Sequence, residues 1–177
     1  MFLDSCWNYL GFWFLSWILV MNIIFLDFDG PVIPARMWLV ESRNNSADRA
    51  TFDPAAVAMV KKLLCEAKAK LVISSTWSLL GYPSIVNILE RHGFNTDDLH
   101  KDWTSWANNN LPRWLQIKMW VENHLEVEKW IAIDDAPIAE RLGTHAIEVS
   151  FDNGMLMEDY QKARQYFNLP YGKEILL

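Results

Sequence analysis

Cysteine, glycine, proline and positive charge are all scarce in this 177-residue chain. Two cysteines, Cys6 and Cys65, cannot form a disulfide framework, and no Cys/His cluster carries the spacing of a zinc site. A reducing, cytoplasmic compartment is therefore expected. Seven glycines and seven prolines leave no low-complexity linker or collagen-like repeat. Sixteen Lys+Arg stand against 22 Asp+Glu, a formal charge of −6, which argues against broad, sequence-independent nucleic-acid binding. Disorder is excluded from the other side, because 51% of the residues are hydrophobic and can build a core. The length suits one domain. What the chain has in excess is tryptophan, ten in all, more than packing alone usually recruits.

The first twenty residues differ from the rest. MFLDSCWNYLGFWFLSWILV holds a single charge, Asp4, and lacks the positive start and small-residue cleavage site of a signal peptide. The apolar run to Leu26 approaches the ~20 residues of a membrane span, but Ile23–Leu26 reads as a strand and what remains is too short to cross. Residues 1–20 are read as a hydrophobic extension ahead of a start at Met21. A membrane or interfacial anchor is the alternative, and no other membrane contact is expected. The main domain is expected over 21–170, with a tail at 171–177.

From Met21 the pattern alternates strand and helix. Asn22-Ile-Ile-Phe-Leu-Asp27 is an apolar run ending in an acidic turn, as a buried parallel strand should. Residues 31–52 are irregular and form a flap. Asp53-Pro54 opens a helix to about Ala67, and Lys70–Ser74 is a second strand. A helix over Pro83–His92, stopped by Gly93, is followed by a short polar stretch. Pro112 to about Leu125 reads as a third helix, with Trp114, Ile117, Val121 and Leu125 on one face. Lys129–Ile133 and His145–Val149 complete the strands, and Met157–Phe167 is the last helix. Strands separated by helices, with no hairpin signal, predict an α/β fold. It is a doubly wound parallel sheet in three α/β/α layers.

Ligands of such sheets bind beyond the carboxyl ends of the strands. Those ends read Asp27-Phe28-Asp29-Gly30, Ser74-Ser75-Thr76-Trp77 and Asp134-Asp135. Clustered carboxylates raise each other's pKa unless a cation neutralises them. An all-oxygen set suits a hard cation, Mg²⁺, shared among Asp27, Asp29, Asp134 and Asp135. A serine hydroxyl and the backbone N–H groups of the turns, Gly30 among them, would serve phosphate oxygens. A blander reading remains for each piece, since Asp-x-Asp-Gly can be a turn and Asp134-Asp135 a helix cap. Their repetition at two strand ends argues for a site.

Ile-Ile-Phe-Leu-Asp27-Phe-Asp29-Gly30 resembles the first motif of the haloacid dehalogenase (HAD) superfamily. Leu71-Val-Ile-Ser-Ser75 is similar to its second motif and Trp130-Ile-Ala-Ile-Asp134-Asp135 to its fourth. Within that superfamily the chain resembles a small, capless bacterial and phage-type group, some of whose members are fused to nucleic-acid repair enzymes. The resemblance implies a Mg²⁺-dependent phosphatase acting through an aspartyl-phosphate. Asp27 would be the nucleophile and Asp29 the acid and base, its carbonyl also reaching Mg²⁺. Asp135, with Asp134 beside it, would complete the metal site. Gly30, Ser75 and a basic residue of the third motif would hold phosphate, with Ser74 able to exchange roles with Ser75. The family places a lysine in that third motif, whereas here Arg113 opens the helix and Lys118 lies further in. Arg113 is favoured, because the first turn of a helix running antiparallel to the next strand lies nearer the active edge.

Both gaps that could hold a cap domain are short, so an open site is implied. The flap carries Arg36, Trp38, Arg43 and Arg49, and Trp77, Trp103 and Trp106 flank the active edge. Those rings favour a nucleotide or a nucleic-acid end among small phosphorylated substrates, although each could equally serve packing. A catalytically idle relative, acting as a binding or regulatory module, is the alternative. Dehalogenase chemistry fits less well, since it does not use Asp29 as an acid.

Overall fold

Met21–Leu26 forms the central strand, β1, and Ile23 through Leu26 are fully buried. An unbroken apolar run is what a strand covered on both faces requires. β1 pairs in parallel with β2 (Ala69–Ile73) on one side and with β4 (Val127–Asp134) on the other. β3 (Leu99–Thr104) and β5 (Ala146–Glu148) lie outside these, giving the all-parallel order β3-β2-β1-β4-β5. The structure, a computed structural model, describes residues 20–39, 51–106 and 110–170. Residues 1–19, the flap arginines Arg43 and Arg49, and the tail at 171–177 lie outside them.

Each face of the sheet has its own helices. On one side α1 (Pro54–Ala67), α2 (Tyr82–Arg91) and α5 (Met157–Tyr166) pack Val60, Leu63, Ile85, Leu89 and Tyr160 against Ile24, Leu26, Leu71 and Ile133. On the other, α3 (Arg113–Glu122) and the single turn α4 (Ala139–Leu142) set Ile117, Trp120 and Leu142 on Ile23, Phe25, Val72 and Ala132. The helix ends follow local chemistry. The Asp53 carboxylate accepts the Ala55 N–H at 2.9 Å ahead of α1. Gly93, at φ 76°, lets the chain leave α2 while Phe94 N–H returns to Leu89 O at 3.0 Å.

Two expectations need correction. The stretch after α2 is not merely polar, because it contains β3. Leu99 and His100 are buried there while Lys101 and Asp102 are exposed, so this edge strand shows neither an apolar run nor alternation. Leu125 does not belong to the inner face of α3. The helix stops at Glu122, the Asn123 side chain donates to Met119 O at 2.8 Å, and Leu125 lies beyond, 87% exposed. Trp120 takes the buried place instead. Among the described residues, no cap domain stands over the carboxyl edge. The β1–α1 connection holds one 3-10 turn (Ala35–Leu39) and the β2–α3 connection holds α2, β3 and two short 3-10 turns among their described residues. Among the described residues, no helix is long and apolar enough to cross a membrane.

Candidate active site

The sheet register brings the chemistry together. Asp27 N–H donates to Ile133 O at 3.1 Å, Ser74 N–H to Leu26 O at 3.0 Å, and Val149 N–H to Asp134 O at 2.9 Å. Asp27, Ser74 and Asp134 therefore leave their strands side by side. Each acid is then fixed by the turn that follows. Asp27 Oδ1 accepts the Phe28 N–H and Asp134 Oδ1 the Ala136 N–H, both at 2.8 Å.

Arg113 is the first residue of α3, which returns toward the start of β4, so its side chain emerges at the same edge. Its guanidinium donates to Asp27 Oδ2 and, at 2.8 Å, to Asp134 Oδ2. Lys118 instead lies over the Trp114 ring, 5.7 Å from its centroid. Arg113 is thus the basic residue that meets the acids.

One oxygen from each of Asp27, Asp134 and Asp135 lies within 4.8 Å of the other two. Burial pushes the Asp27 carboxyl up to about 7, against the pull of Arg113 and with a further push from Asp134. Asp134 and Asp135 are also raised, again chiefly by burial. Neighbouring carboxylate charge contributes to the rise at Asp135. Three carboxylates around one guanidinium leave uncompensated negative charge. With only oxygen donors, these residues fit a hard divalent cation such as Mg²⁺.

Gly30 makes that arrangement possible by what it lacks. A Cβ there would fall 2.6 Å from Asp135 Cβ, and its φ of +84° disfavours any side chain. Its amide, expected to face phosphate, instead donates to Ile33 O at 3.1 Å, because the turn after β1 closes on itself. Clearance for Asp135 is the contribution of Gly30 in this structure.

Asp29 stands outside the triad of acids. Its Oδ2 accepts the Trp77 indole N–H at 2.8 Å, and the Trp77 ring edges onto Phe28, which packs on Phe52. Trp77, a candidate for stacking on a base, is therefore the side chain that aims Asp29. Sequence spacing gave no sign of this 48-residue contact; only the placement of Trp77 at a strand end pointed to the site.

Ser75 is fully buried and its hydroxyl bonds both the Asp27 carboxylate and, as acceptor at 3.3 Å, the Trp77 N–H. Ser74 Oγ is equally buried but has no partner. The other rings flank the edge. Trp38 contacts Phe151 edge-on at 5.7 Å, Trp103 meets Tyr82 at 5.7 Å, and Trp106 is half-buried. Arg36 pairs with Asp53 rather than with the acids.

A second group of side chains that could hold a cation, His100, Asp102 and His124, lies apart from these acids. No zinc spacing marks these residues because they come from β3 and from beyond the end of α3, and one is an aspartate.

Residues 23–160, most of the chain, match the family model described as the HAD domain in Swiss Army Knife RNA repair proteins. No curated protein and no solved structure matches.

Proposed function

The chain belongs to this family of HAD domains from RNA repair proteins, and from that premise we propose that it is a Mg²⁺-dependent phosphatase of nucleic-acid ends. One observation carries the proposal: a buried Asp27 carboxylate, gripped by Arg113 beside Asp134 and Asp135, at the uncapped carboxyl edge of a parallel sheet. The family's description supports the nucleic-acid end as substrate, and an uncapped edge can admit the terminus of a long polymer.

In this reading an Asp27 oxygen attacks phosphorus while the ester oxygen leaves, taking a proton from Asp29. Water then attacks the same phosphorus. Asp29 accepts its proton, phosphate departs, and the Asp27 carboxylate is restored. The Trp77 N–H holds one Asp29 oxygen and leaves the other to move the proton. Arg113 and the Ser75 hydroxyl keep the Asp27 carboxylate oriented and present donors to the phosphoryl oxygens. Asp27, Asp134 and Asp135, with the Asp29 carbonyl, would hold Mg²⁺, which supplies neutralising charge to the attacked phosphate.

The test is phosphate release by the full chain with Mg²⁺ from end-phosphorylated oligoribonucleotides, mononucleotides and small phosphorylated metabolites. Wild type should release phosphate fastest from the oligonucleotides and carry an acid-stable, hydroxylamine-labile phosphate on Asp27. Asp27→Asn should do neither. Turnover by Asp27→Asn, or phosphate trapped on another residue, overturns the mechanism. Mg²⁺ binding without turnover of any substrate would make the domain an idle module.

A further inference from the structure

At the start of β3, at the amino edge of the sheet, His100 and Asp102 meet His124, which follows the end of α3. We propose that this is a second metal site, distinct from the acids around Asp27, built for Zn²⁺ or a cation of similar softness. One donor atom of each residue lies within 4.8 Å of the other two.

His124 is held as metal-bound histidines are held. Its Nδ1 lies 2.6 Å from Trp120 O, and a carbonyl only accepts, so Nδ1 carries the proton. In the neutral ring Nε2 then turns a lone pair toward Asp102 Oδ2, 2.8 Å away. Two acceptors at that distance need a cation between them, either a second proton or a metal. The Trp120 ring stacks on His124 at 3.6 Å and its indole N–H donates to Asp102 O at 3.2 Å. One side chain thereby fixes two of the ligands.

His100 supplies the independent observation. It is 4% exposed, its Nδ1 rests against the Asp102 backbone, and its Nε2 is buried with no hydrogen-bond partner. Such an orphaned nitrogen costs stability unless something fills its place. The Asp102 N–H donates to Nδ1 at 3.1 Å, so ligation through Nε2 takes the other tautomer, in which Nδ1–H turns to Asp102 O, 3.4 Å away.

Glu126 Oε1 lies 3.9 Å from His100 Nε2 and offers a fourth donor. Tetrahedral Zn²⁺ with bonds near ~2.0–2.1 Å sets its donors roughly 3.4 Å apart. The 2.8 Å and 3.9 Å separations straddle that value. Two imidazoles with carboxylates select Zn²⁺ over Mg²⁺, so the two edges would take different ions. Filled by four protein donors, the site is structural, tying β3 to the end of α3 and the start of β4.

The experiment titrates the full chain, stripped of metal, with Co²⁺ in excess Mg²⁺ and reads the visible absorption of a tetrahedral centre. One equivalent should bind, be displaced by Zn²⁺, and raise the unfolding temperature. His124→Gln and Asp102→Asn should each weaken binding at least about tenfold. The Asp102 side chain is 60% exposed, so its variant keeps the fold even if His124→Gln does not. Asp135→Asn should leave the titration unchanged. Absence of saturable absorption, its survival in Asp102→Asn, or its loss in Asp135→Asn overturns the proposal.

Discussion

At the carboxyl edge three carboxylates crowd around one guanidinium, whereas at the amino edge two imidazoles stand against Asp102. The acids sit where strands end, so freed backbone N–H groups orient them and a fixed cation from α3 offsets part of their charge. The imidazoles are oriented by carbonyl and ring contacts from the other end of α3. Excess negative charge suits a hard ion, while imidazole nitrogens suit a softer one. The two groups differ in burial as well: Asp27 and Asp134 are buried, whereas at the amino edge only His100 is, and Asp102 is exposed.

Removing the guanidinium is the severest way to break this contrast. Arg113→Ala should lower turnover about 10²–10³-fold. Without divalent ions it should also destabilise the chain by about 3–5 kcal/mol, because Asp27 and Asp134 lose their buried partner. Denaturant unfolding with and without Mg²⁺ measures this, and an unchanged midpoint would show that the acids need no fixed cation.

Next in size, Asp29→Asn should cost about 10²–10⁴-fold in turnover and leave phosphate trapped on Asp27, with unfolding unaffected. Quench-flow with labelled substrate reports both. A variant that turns over normally would take Asp29 out of the chemistry.

A titration sharpens the same edge. Asp27 rises from 3.8 to about 7 on folding, so between these values the metal-free folded chain binds more protons than the unfolded one. Its stability is then greatest in acid and falls as pH rises through 7, by up to about 1.4 kcal/mol per pH unit from this group. Added Mg²⁺ should therefore stabilise more at pH 8 than at pH 6. Thermal unfolding at the two pH values, with and without Mg²⁺, decides it; an equal shift at both would mean the cation displaces no proton.

Trp77→Phe keeps the ring and removes only the N–H to Asp29, a loss of about 0.5–1.5 kcal/mol in transition-state positioning, or several-fold in turnover. Smallest of all, Leu125→Ala should change stability by less than about 0.5 kcal/mol, since the side chain is exposed and belongs to neither core.

Much of this was legible in the sequence because it is local. An apolar run followed by Asp-x-Asp-Gly states both a buried strand and what stands at its end, and Asp53-Pro54 states a helix start. The direction of α3 made Arg113 a better candidate than Lys118, and the guanidinium does reach the acids. What escaped was built from distant partners or from a sheet margin. β3 is half-exposed and carries no period to read. Trp77 reaches Asp29 across 48 positions, and His124 meets Asp102 across 22. Gly30 looked like a phosphate donor because its clash with Asp135 exists only once β1 and β4 are paired.

Helix α3 also works as a spacer. Arg113 is its first residue and His124 directly follows its cap, so nine helical residues and the cap, a rise of about 16 Å, separate two fixed attachments. A residue inserted or deleted within 114–121 would turn one end by about 100° and shift it about 1.5 Å relative to the other. Either Arg113 would miss the acids or His124 would miss Asp102. Substitutions on the outer surface, at Met119 or Glu122, are free to accumulate, but insertions and deletions are not. Among divergent copies of this domain, α3 should vary in composition while keeping its residue count.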